Sequence, residues 1–410
     1  MDQDRGVGVS FRKLTLDDID LKGKRVLTRV DFNVPIGPGG EVTDDTRLIA
    51  TIPTVRKIID SGGKAILMSH LGRPKGQKNP EFSLRPVAAA FGRLLSHEVK
   101  FIDDCIGEKV DATVKSLANG ECLLLENLRF YPGEEKNDPE MARALAKFGD
   151  VYVNDAFGTA HRAHASTAGV PGLIQPSIAG YLMKAEIEYL GNAVTRPKRP
   201  FVAILGGAKI SGKIDVINNL ISKVDRILVG GGMTFTFFKA KGYRVGNSLV
   251  EEDRLEMAKD ILKRIKSEKC EFVLPVDSII TSDLESNAVN TKTAPADEIP
   301  EGWIGVDIGP KTRRLFREKL SDAKTVLWNG PMGIFEKEAF AKGTIEVAQI
   351  LAQITGKGAT TIIGGGDSAA AVKKAGFADK MTHISTGGGA SLEFLEGKAM
   401  PGVEALTDKK

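Results

Sequence analysis

The sequence predicts an α/β protein of two domains, each built around a parallel sheet. Three observations carry this. Short β-rich runs alternate with helical stretches along the chain, the pattern of βαβ units. The buried runs are apolar on both faces instead of alternating, as strands covered by helices on both sides require. And 410 residues exceed what one ordinary domain encloses.

In the first half the strand candidates are Arg25–Val30, Ala65–Ser69, Val99–Ile102, Cys122–Leu125 and Val151–Val153. Helical patterns separate them at Leu48–Ser61, Arg85–Leu95 and Pro139–Phe148. Leu182, Ala185, Tyr189 and Ala193 recur at helical spacing, so Tyr181–Val194 reads as one helix. Arg196-Pro197-Lys198-Arg199-Pro200 ends it, because proline cannot continue a helix. The domain junction is placed there. The alternation restarts at Phe201–Leu205 and continues through Arg226–Val229, Phe272–Val276, Thr325–Trp328, Thr360–Ile363 and Thr382–Ile384. This gives a first domain over 1–180, a helix and linker over 181–197 and a second domain over 198–395.

Composition narrows the class. Hydrophobic residues at 42% and charged residues at 27% describe a soluble globular protein. A formal net charge of +4, with no basic block, argues against nucleic acid as a partner. Cys105, Cys122 and Cys270 are widely spaced, fit neither a disulfide framework nor a zinc site, and read as buried structural thiols. Met1-Asp-Gln-Asp-Arg5 is too charged for a signal peptide, and no apolar run is long enough to span a membrane. A cytoplasmic location is expected.

The chemistry sits where strands end. In the second half, Phe201–Leu205 runs into Gly206-Gly207-Ala208-Lys209, Arg226–Val229 into Gly230-Gly231-Gly232, and Thr360–Ile363 into Gly364-Gly365-Gly366-Asp367. Gly387-Gly388-Gly389 follows Ser385-Thr386. One such cluster is an ordinary tight turn. Several on one sheet edge let backbone N–H groups approach phosphate at the carboxyl ends of the strands. Gly207-Ala-Lys-Ile-Ser-Gly212-Lys213 has P-loop spacing, but Ile214 stands where that motif needs Ser or Thr for magnesium, which excludes a Walker-type NTPase. If a helix begins there, Lys209 and Lys213 lie on one face and both meet phosphate oxygens. Asp367 either caps its helix or holds the magnesium of a bound nucleotide. Glu336, just past Trp328-Asn329-Gly330-Pro331, suits a ribose.

In the first half the strand ends carry cations instead. Arg29 leads to Asp31 and Asn33; Ser69 leads to His70 and Arg73; Leu125 leads to Glu126-Asn127-Leu128-Arg129; Val153 leads to Asn154-Asp155 and then His161, Arg162 and His164. On one rim these would bind a small, highly charged anion bearing phosphate or carboxylate. His97 and His383 lack such company and read as structural. No Ser-His-Asp order, HExxH, CxxC pair or GxGxxG after the first strand is present. The rim offers no obvious catalytic base, and phosphoryl transfer involving a carboxylate needs none, since that nucleophile is already ionised.

Eight ordered motifs carry a resemblance. They are Arg29-Val-Asp31-Phe-Asn33-Val-Pro35, Ser69-His70-Leu-Gly-Arg73-Pro74, Glu126-Asn-Leu-Arg129-Phe130, Asn154-Asp-Ala-Phe-Gly-Thr-Ala-His161-Arg162-Ala-His164, Leu205-Gly-Gly-Ala-Lys209, Trp328-Asn-Gly-Pro331, Gly364-Gly-Gly-Asp367 and Ser385-Thr-Gly-Gly-Gly-Ala390. Over nearly its whole length the chain resembles the bacterial type of phosphoglycerate kinase. The resemblance implies two doubly wound, Rossmann-like domains joined by a helical hinge, with the C-terminal segment 396–410 packing back on the first. It implies reversible transfer of the acyl phosphate of 1,3-bisphosphoglycerate to Mg-ADP, giving 3-phosphoglycerate and ATP, by hinge closure and in-line transfer.

Carried over by matching position, the resemblance implies that Arg29, Asp31, Asn33, Arg47, His70, Arg73, Arg129 and Arg162 bind 3-phosphoglycerate. It implies that Gly206, Gly207, Lys209, Lys213, Gly230, Gly309, Asn329, Glu336, Gly366, Asp367 and Ser368 bind ADP or ATP, with Asp367 on Mg2+. Arg47, Lys209, Gly366 and Gly389 are expected at the transferred group. A monomer is expected, with no nucleic-acid or membrane partner. Gly212 stands where family members often carry a polar residue, and Met1–Val9 has no evident role. A catalytically silent nucleotide-binding scaffold is the second reading. The intact cationic set argues against it, and the ordered motifs argue against a kinase of another acyl phosphate.

Overall fold

The computed structural model describes residues 12–285 and 290–409, so Met1–Val9 lies outside the described residues. Contacts divide the chain into two compact units, Met1–Glu188 with Lys398–Lys410, and Tyr189–Gly397.

The first unit runs β1 (Arg25–Val30), α1 (Thr46–Asp60), β2 (Lys64–Met68), α2 (Arg85–Leu95), β3 (Val99–Phe101), α3 (Glu108–Ser116), β4 (Cys122–Leu124), α4 (Pro139–Ala146), β5 (Val151–Asp155), β6 (Ser177–Ala179) and α5 (Tyr181–Thr195). α5 carries the chain into the second unit, and the contact boundary falls within it. The six strands form one parallel sheet in the order β3-β4-β2-β1-β5-β6. Val26, Val30, Leu67, Leu124 and Val153 pack with Leu48, Val55 and Ile58 of α1 and Val87 and Phe91 of α2. Strand alternation sends Leu27, Ile66, Leu123 and Tyr152 to the opposite face, where they are also fully buried. Burial on both faces is why β2 and β4 read as near-continuous apolar runs.

The chain end completes this unit. Thr407 N–H donates to the Ser177 carbonyl and Leu14 N–H to the Thr407 carbonyl, each at 2.8 Å, covering the edge beyond β6. Asn154 Nδ2 donates to the Gly402 carbonyl at 3.0 Å.

The second unit runs β7 (Phe201–Leu205), α6 (Ile214–Leu220), β8 (Arg226–Val229), α7 (Met233–Ala240), β9 (Arg244–Val245), α8 (Leu255–Ile265), β10 (Glu271–Val273), β11 (Asp277–Thr281), β12 (Thr291–Pro295), β13 (Glu298–Ile299), β14 (Ile304–Ile308), α9 (Pro310–Leu320), β15 (Thr325–Asn329), α10 (Lys342–Thr355), β16 (Thr360–Gly364), α11 (Gly366–Lys374), β17 (His383–Ile384) and α12 (Gly389–Leu395). Its main sheet is again six parallel strands, ordered β10-β8-β7-β15-β16-β17. Trp328, Val202, Ile204 and Ile363 pack against Phe316 and Leu320 of α9 and Val347 and Leu351 of α10.

β12-β11-β14 form an antiparallel three-stranded sheet, and β13 pairs with β9. β12, Thr-Lys-Thr-Ala-Pro, buries only Ala294, so it presents no apolar run to recognise.

Candidate active site

The strand register of the first unit builds one rim. Arg29 pairs with Met68 on one side and Asn154 on the other, and Leu67 pairs with Leu124. The residues just past these levels, Asp31, Asn33, His70, Glu126–Arg129 and Asp155, therefore leave the sheet along the same edge. Arg29 is buried, with Nε donating to Ser166 Oγ at 2.9 Å and NH2 lying 3.1 Å from His70 Nδ1. Arg47, half-buried on α1, donates from NH1 to the Asn33 carbonyl at 3.0 Å and sits 3.1 Å from Asp31 Oδ2. Asn33 Oδ1 accepts from Gly72 N–H at 2.9 Å, and Arg129 NH1 donates to the Gly72 carbonyl at 2.9 Å.

Burial and the surrounding cations together keep His70 and His164 neutral. Burial, then Arg29, Arg129, Arg47 and His164, hold the His70 pKa well below its ordinary value. Burial, followed by Arg29, Arg129 and Arg162, lowers that of His164 to about 4. Arg129 is itself pushed down by burial, and its Nε is a buried donor without a hydrogen-bond partner; Glu135 Oε1 stands 3.2 Å away but poorly aligned. Such a set is short of negative charge, which an anionic ligand would supply. Arg73 and Arg162 are exposed beside it, and Arg162 Nε donates to His161 Nε2 at 3.0 Å.

Glu126 and Asn127 hold the rim together. Glu126 accepts from Ser83 Oγ at 2.7 Å and from Leu84 N–H at 2.8 Å, while Asn127 Nδ2 donates to the Leu71 and Phe82 carbonyls. Sequence reasoning missed Glu134 and Ser166, which lie behind Arg29. Neither ends a strand, and only the fold brings them there.

In the second unit, Asn329 pairs with Leu205 and Gly364, and Leu205 pairs with Val229. One residue further, at a common level, stand Gly206, Gly230, Gly330 and Gly365. The backbones touch: a Cβ on Gly206 would lie 2.2 Å from the Pro331 carbonyl oxygen, and one on Gly330 2.2 Å from that of Gly206. Only glycine permits this approach. Gly207, Gly231, Gly232, Phe235, Gly305, Asp307, Met332, Glu336 and Asp367 line a cavity of about 470 Å³. A larger depression of about 910 Å³ under α8 and β10 contains none of the glycine loops and is bordered by lysines on the surface.

Lys213 turns inward. Its Nζ donates to Asn329 Oδ1, and burial lowers its pKa to about 8 while Asp367 and Glu396 draw it upward. That bond orients Asn329 Nδ2, a buried donor without a partner, toward Gly364 and Gly365. Ser368 Oγ accepts from Gly330 N–H at 2.6 Å, so it braces the loop. Asp367 is the second residue of α11, exposed and facing the cavity; the cap position is Gly365. Gly366 opens α11 and Gly389 opens α12. Gly309 precedes α9 against the Asp277 carboxylate, off the cavity lining.

The expected shared helical face of Lys209 and Lys213 is corrected. α6 starts only at Ile214, after a turn closed by Lys213 N–H to the Ile210 carbonyl at 2.8 Å. Burial of Ile210 within that turn leaves Lys209 exposed, its charge acting on Glu251. Gly212 faces open space, so a polar side chain there would meet nothing. The three cysteines are free and buried; burial raises Cys122 to about 12 and Cys270 to about 11.

Among the described residues no group of three or more His, Cys, Asp or Glu side chains could hold a metal ion alone. A lone carboxylate beside a phosphate cradle fits magnesium that arrives with a nucleotide. No helix among the described residues is long and apolar enough to cross a membrane.

Comparison with known proteins agrees with this geometry. The family model described as phosphoglycerate kinase matches residues 16–398. The phosphoglycerate kinase of Chlorobium luteolum is 59% identical over 396 residues, covering 97% of this chain and 100% of the relative. That of Thermosipho africanus is 57% identical over 401 residues, covering 98% and 99%. Among solved structures, phosphoglycerate kinase from Coxiella burnetii superposes with a TM-score of 0.87 at 40% identity, covering 96% of this chain and 98% of that one. The enzyme from Pyrococcus horikoshii gives 0.83 at 33% identity over the same shares. With a matching family model and relatives of this identity along nearly its full length, the chain belongs to the phosphoglycerate kinase family.

Proposed function

We infer that this protein catalyses reversible transfer of the acyl phosphate of 1,3-bisphosphoglycerate to ADP, yielding 3-phosphoglycerate and ATP. The observation that carries the reading is the pairing, in one chain of this family, of a buried cationic rim with a glycine cradle holding the unpartnered donor Asn329 Nδ2.

The rim takes the phosphoglycerate. Arg29, Arg129, Arg162 and Arg73 offer guanidinium forks to its phosphate and carboxylate, and His70 adds a neutral N–H donor. Asp31 and Asn33 anchor Arg47 and leave its remaining N–H groups for the transferred group. The apolar cavity wall takes the adenine and Glu336 the ribose. The N–H groups at the starts of α11 and α12, Gly366 and Gly389, serve the phosphates. Gly206, Gly207 and Gly230, whose own N–H groups donate to the Asn329, Pro331 and Leu205 carbonyls, let the nucleotide approach the backbone closely, with Lys213 and Lys209 as cations and Gly309 and Ser368 as framework. Asp367 would hold Mg2+, which neutralises phosphate charge when bound. The acceptor carboxylate is ionised at neutral pH, so no base is required. Positioning, closure around the two substrates and charge neutralisation lower the barrier. Buried, unpaired thiols suit the cytoplasm, and we read the protein as a monomer without nucleic-acid or membrane partners.

A coupled assay with ATP, magnesium and 3-phosphoglycerate tests this. Turnover should require all three components. ATP consumption at the same rate without 3-phosphoglycerate would contradict the reading.

A further inference from the structure

Arg29 leaves β1 toward the rim yet is only 1% exposed, so the protein must satisfy its guanidinium from within. Nε donates to Ser166 Oγ, NH1 to the Val30 carbonyl, and NH2 meets His70 Nδ1. A guanidinium can only donate. His70 Nδ1 is therefore the acceptor, and the ring proton sits on Nε2.

Behind Ser166 stands Glu134, fully buried. Ser166 Oγ donates to Glu134 Oε1 at 2.6 Å, and Ser166 N–H to Oε2 at 3.0 Å. With its one hydrogen turned to Glu134, the hydroxyl has only lone pairs to present to Arg29. Ser166 cannot drift: the Tyr152 hydroxyl donates to its carbonyl at 2.8 Å, and it belongs to a π-type turn, Ala165–Gly169. Such wide turns are rare and cluster at functional sites. The result is a continuous chain, Glu134 to Ser166 to Arg29 to His70, running from the interior to the rim.

We propose that Glu134 and Ser166 are positioning residues for the phosphoglycerate site, holding Arg29 against His70 and so keeping His70 as an Nε2–H donor. Both act from behind the rim: Ser166 through Arg29 and Glu134 through Ser166, with Glu134 Oε1 also 3.9 Å from His164 Nδ1. The proposal rests on the reading of that rim as the phosphoglycerate site. Burial raises the Glu134 pKa, and Arg29, the Ser166 hydrogen bonds and Arg129 draw it back down. Burial of the ring, then Arg29, Arg129, Arg47 and His164, oppose a second proton, so the tautomer, and not the charge, is what must be controlled. A ring free to exchange tautomers would turn a bare nitrogen lone pair toward an anion.

The test records 15N spectra of the His70 ring in the full-length wild type, Ser166→Ala and Glu134→Gln. Steady-state kinetics and Mg-ADP affinity are measured alongside. Wild type should show one tautomer, protonated at Nε2. Ser166→Ala should show mixed tautomers and a KM for 3-phosphoglycerate raised about tenfold, the loss expected for one charge-assisted hydrogen bond, with Mg-ADP affinity unchanged. Glu134→Gln keeps the side-chain volume and should shift both readouts in the same direction, which preserves the test if Ser166→Ala does not fold. A single tautomer and a KM within twofold of wild type in both variants would overturn the positioning role. Failure of the wild type to turn over 3-phosphoglycerate would instead sink the reading of the rim, while the ring spectra still decide the chain from Glu134 to His70.

Discussion

Arg47 is a half-buried rim cation, with NH1 anchored by the Asn33 carbonyl and Asp31. Arg47→Ala should lower turnover by roughly two to four powers of ten, the usual consequence of losing a transition-state charge contact. Mg-ADP affinity, measured by calorimetry, should stay within about twofold, as a group acting on the transition state alone requires. Lys213 makes a pH-dependent counterpart. Burial brings its pKa down to about 8, so in the free protein it loses its charge as pH rises from 7 to 9. Mg-ADP affinity should weaken over that window, by up to about tenfold per unit above the pKa. Lys213→Ala should abolish the dependence; an unchanged slope in the variant would exclude Lys213 from the nucleotide site. At this scale the sequence was partly legible. Arg29, His70, Lys213 and Asp367 end strands or open helices, where chemistry concentrates, and their motifs single them out. Ser166 and Glu134 do neither; their meaning appears only when β5 and the turn after it are folded against β1.

Elements in this protein are joined by polar and backbone contacts that tolerate little change. Asp155, at the end of β5, caps α5: its Oδ1 accepts from Leu182 N–H at 2.9 Å and Met183 N–H at 3.2 Å. Burial raises its pKa to about 7 from 3.8, against the pull of those bonds. The folded state thus keeps a proton between about pH 4 and 7 that the unfolded chain has released, and stability falls as pH rises through that window. Asp155→Asn retains the cap and should remove this share of the slope in denaturant titrations between about pH 4 and 7. Asp307, raised to about 7 by burial, leaves a slope of the same sign behind. The glycine loops set a steric limit. Gly206→Ala would place Cβ 2.2 Å and 2.5 Å from two carbonyl oxygens, so the loops after β7 and β15 must part. A cost of about 1–3 kcal/mol is expected, from overpacking, together with loss of Mg-ADP binding; a variant as stable as wild type that binds nucleotide would refute the interlocked cradle. β2 and β7 were legible because strands buried on both faces are near-continuous apolar runs. β11, β12 and β14 were not, because a partly exposed antiparallel sheet needs only a few apolar residues.

At the scale of the whole molecule, the chain divides its task. Two six-stranded parallel sheets carry different strand ends: one rim gathers arginines and histidines, the other interlocked glycine loops. The division was legible because the motifs segregate along the chain, cationic before Tyr181 and glycine-rich after Phe201. The central claim is that each unit binds its own substrate. Calorimetric titration of Arg129→Ala and Lys213→Ala with 3-phosphoglycerate and with Mg-ADP tests this most directly. Arg129→Ala should lose 3-phosphoglycerate affinity by about ten- to a hundredfold, as expected for a charged hydrogen-bonding partner, and keep Mg-ADP affinity. Lys213→Ala should do the reverse. A variant that loses both ligands equally, or neither, would contradict the account.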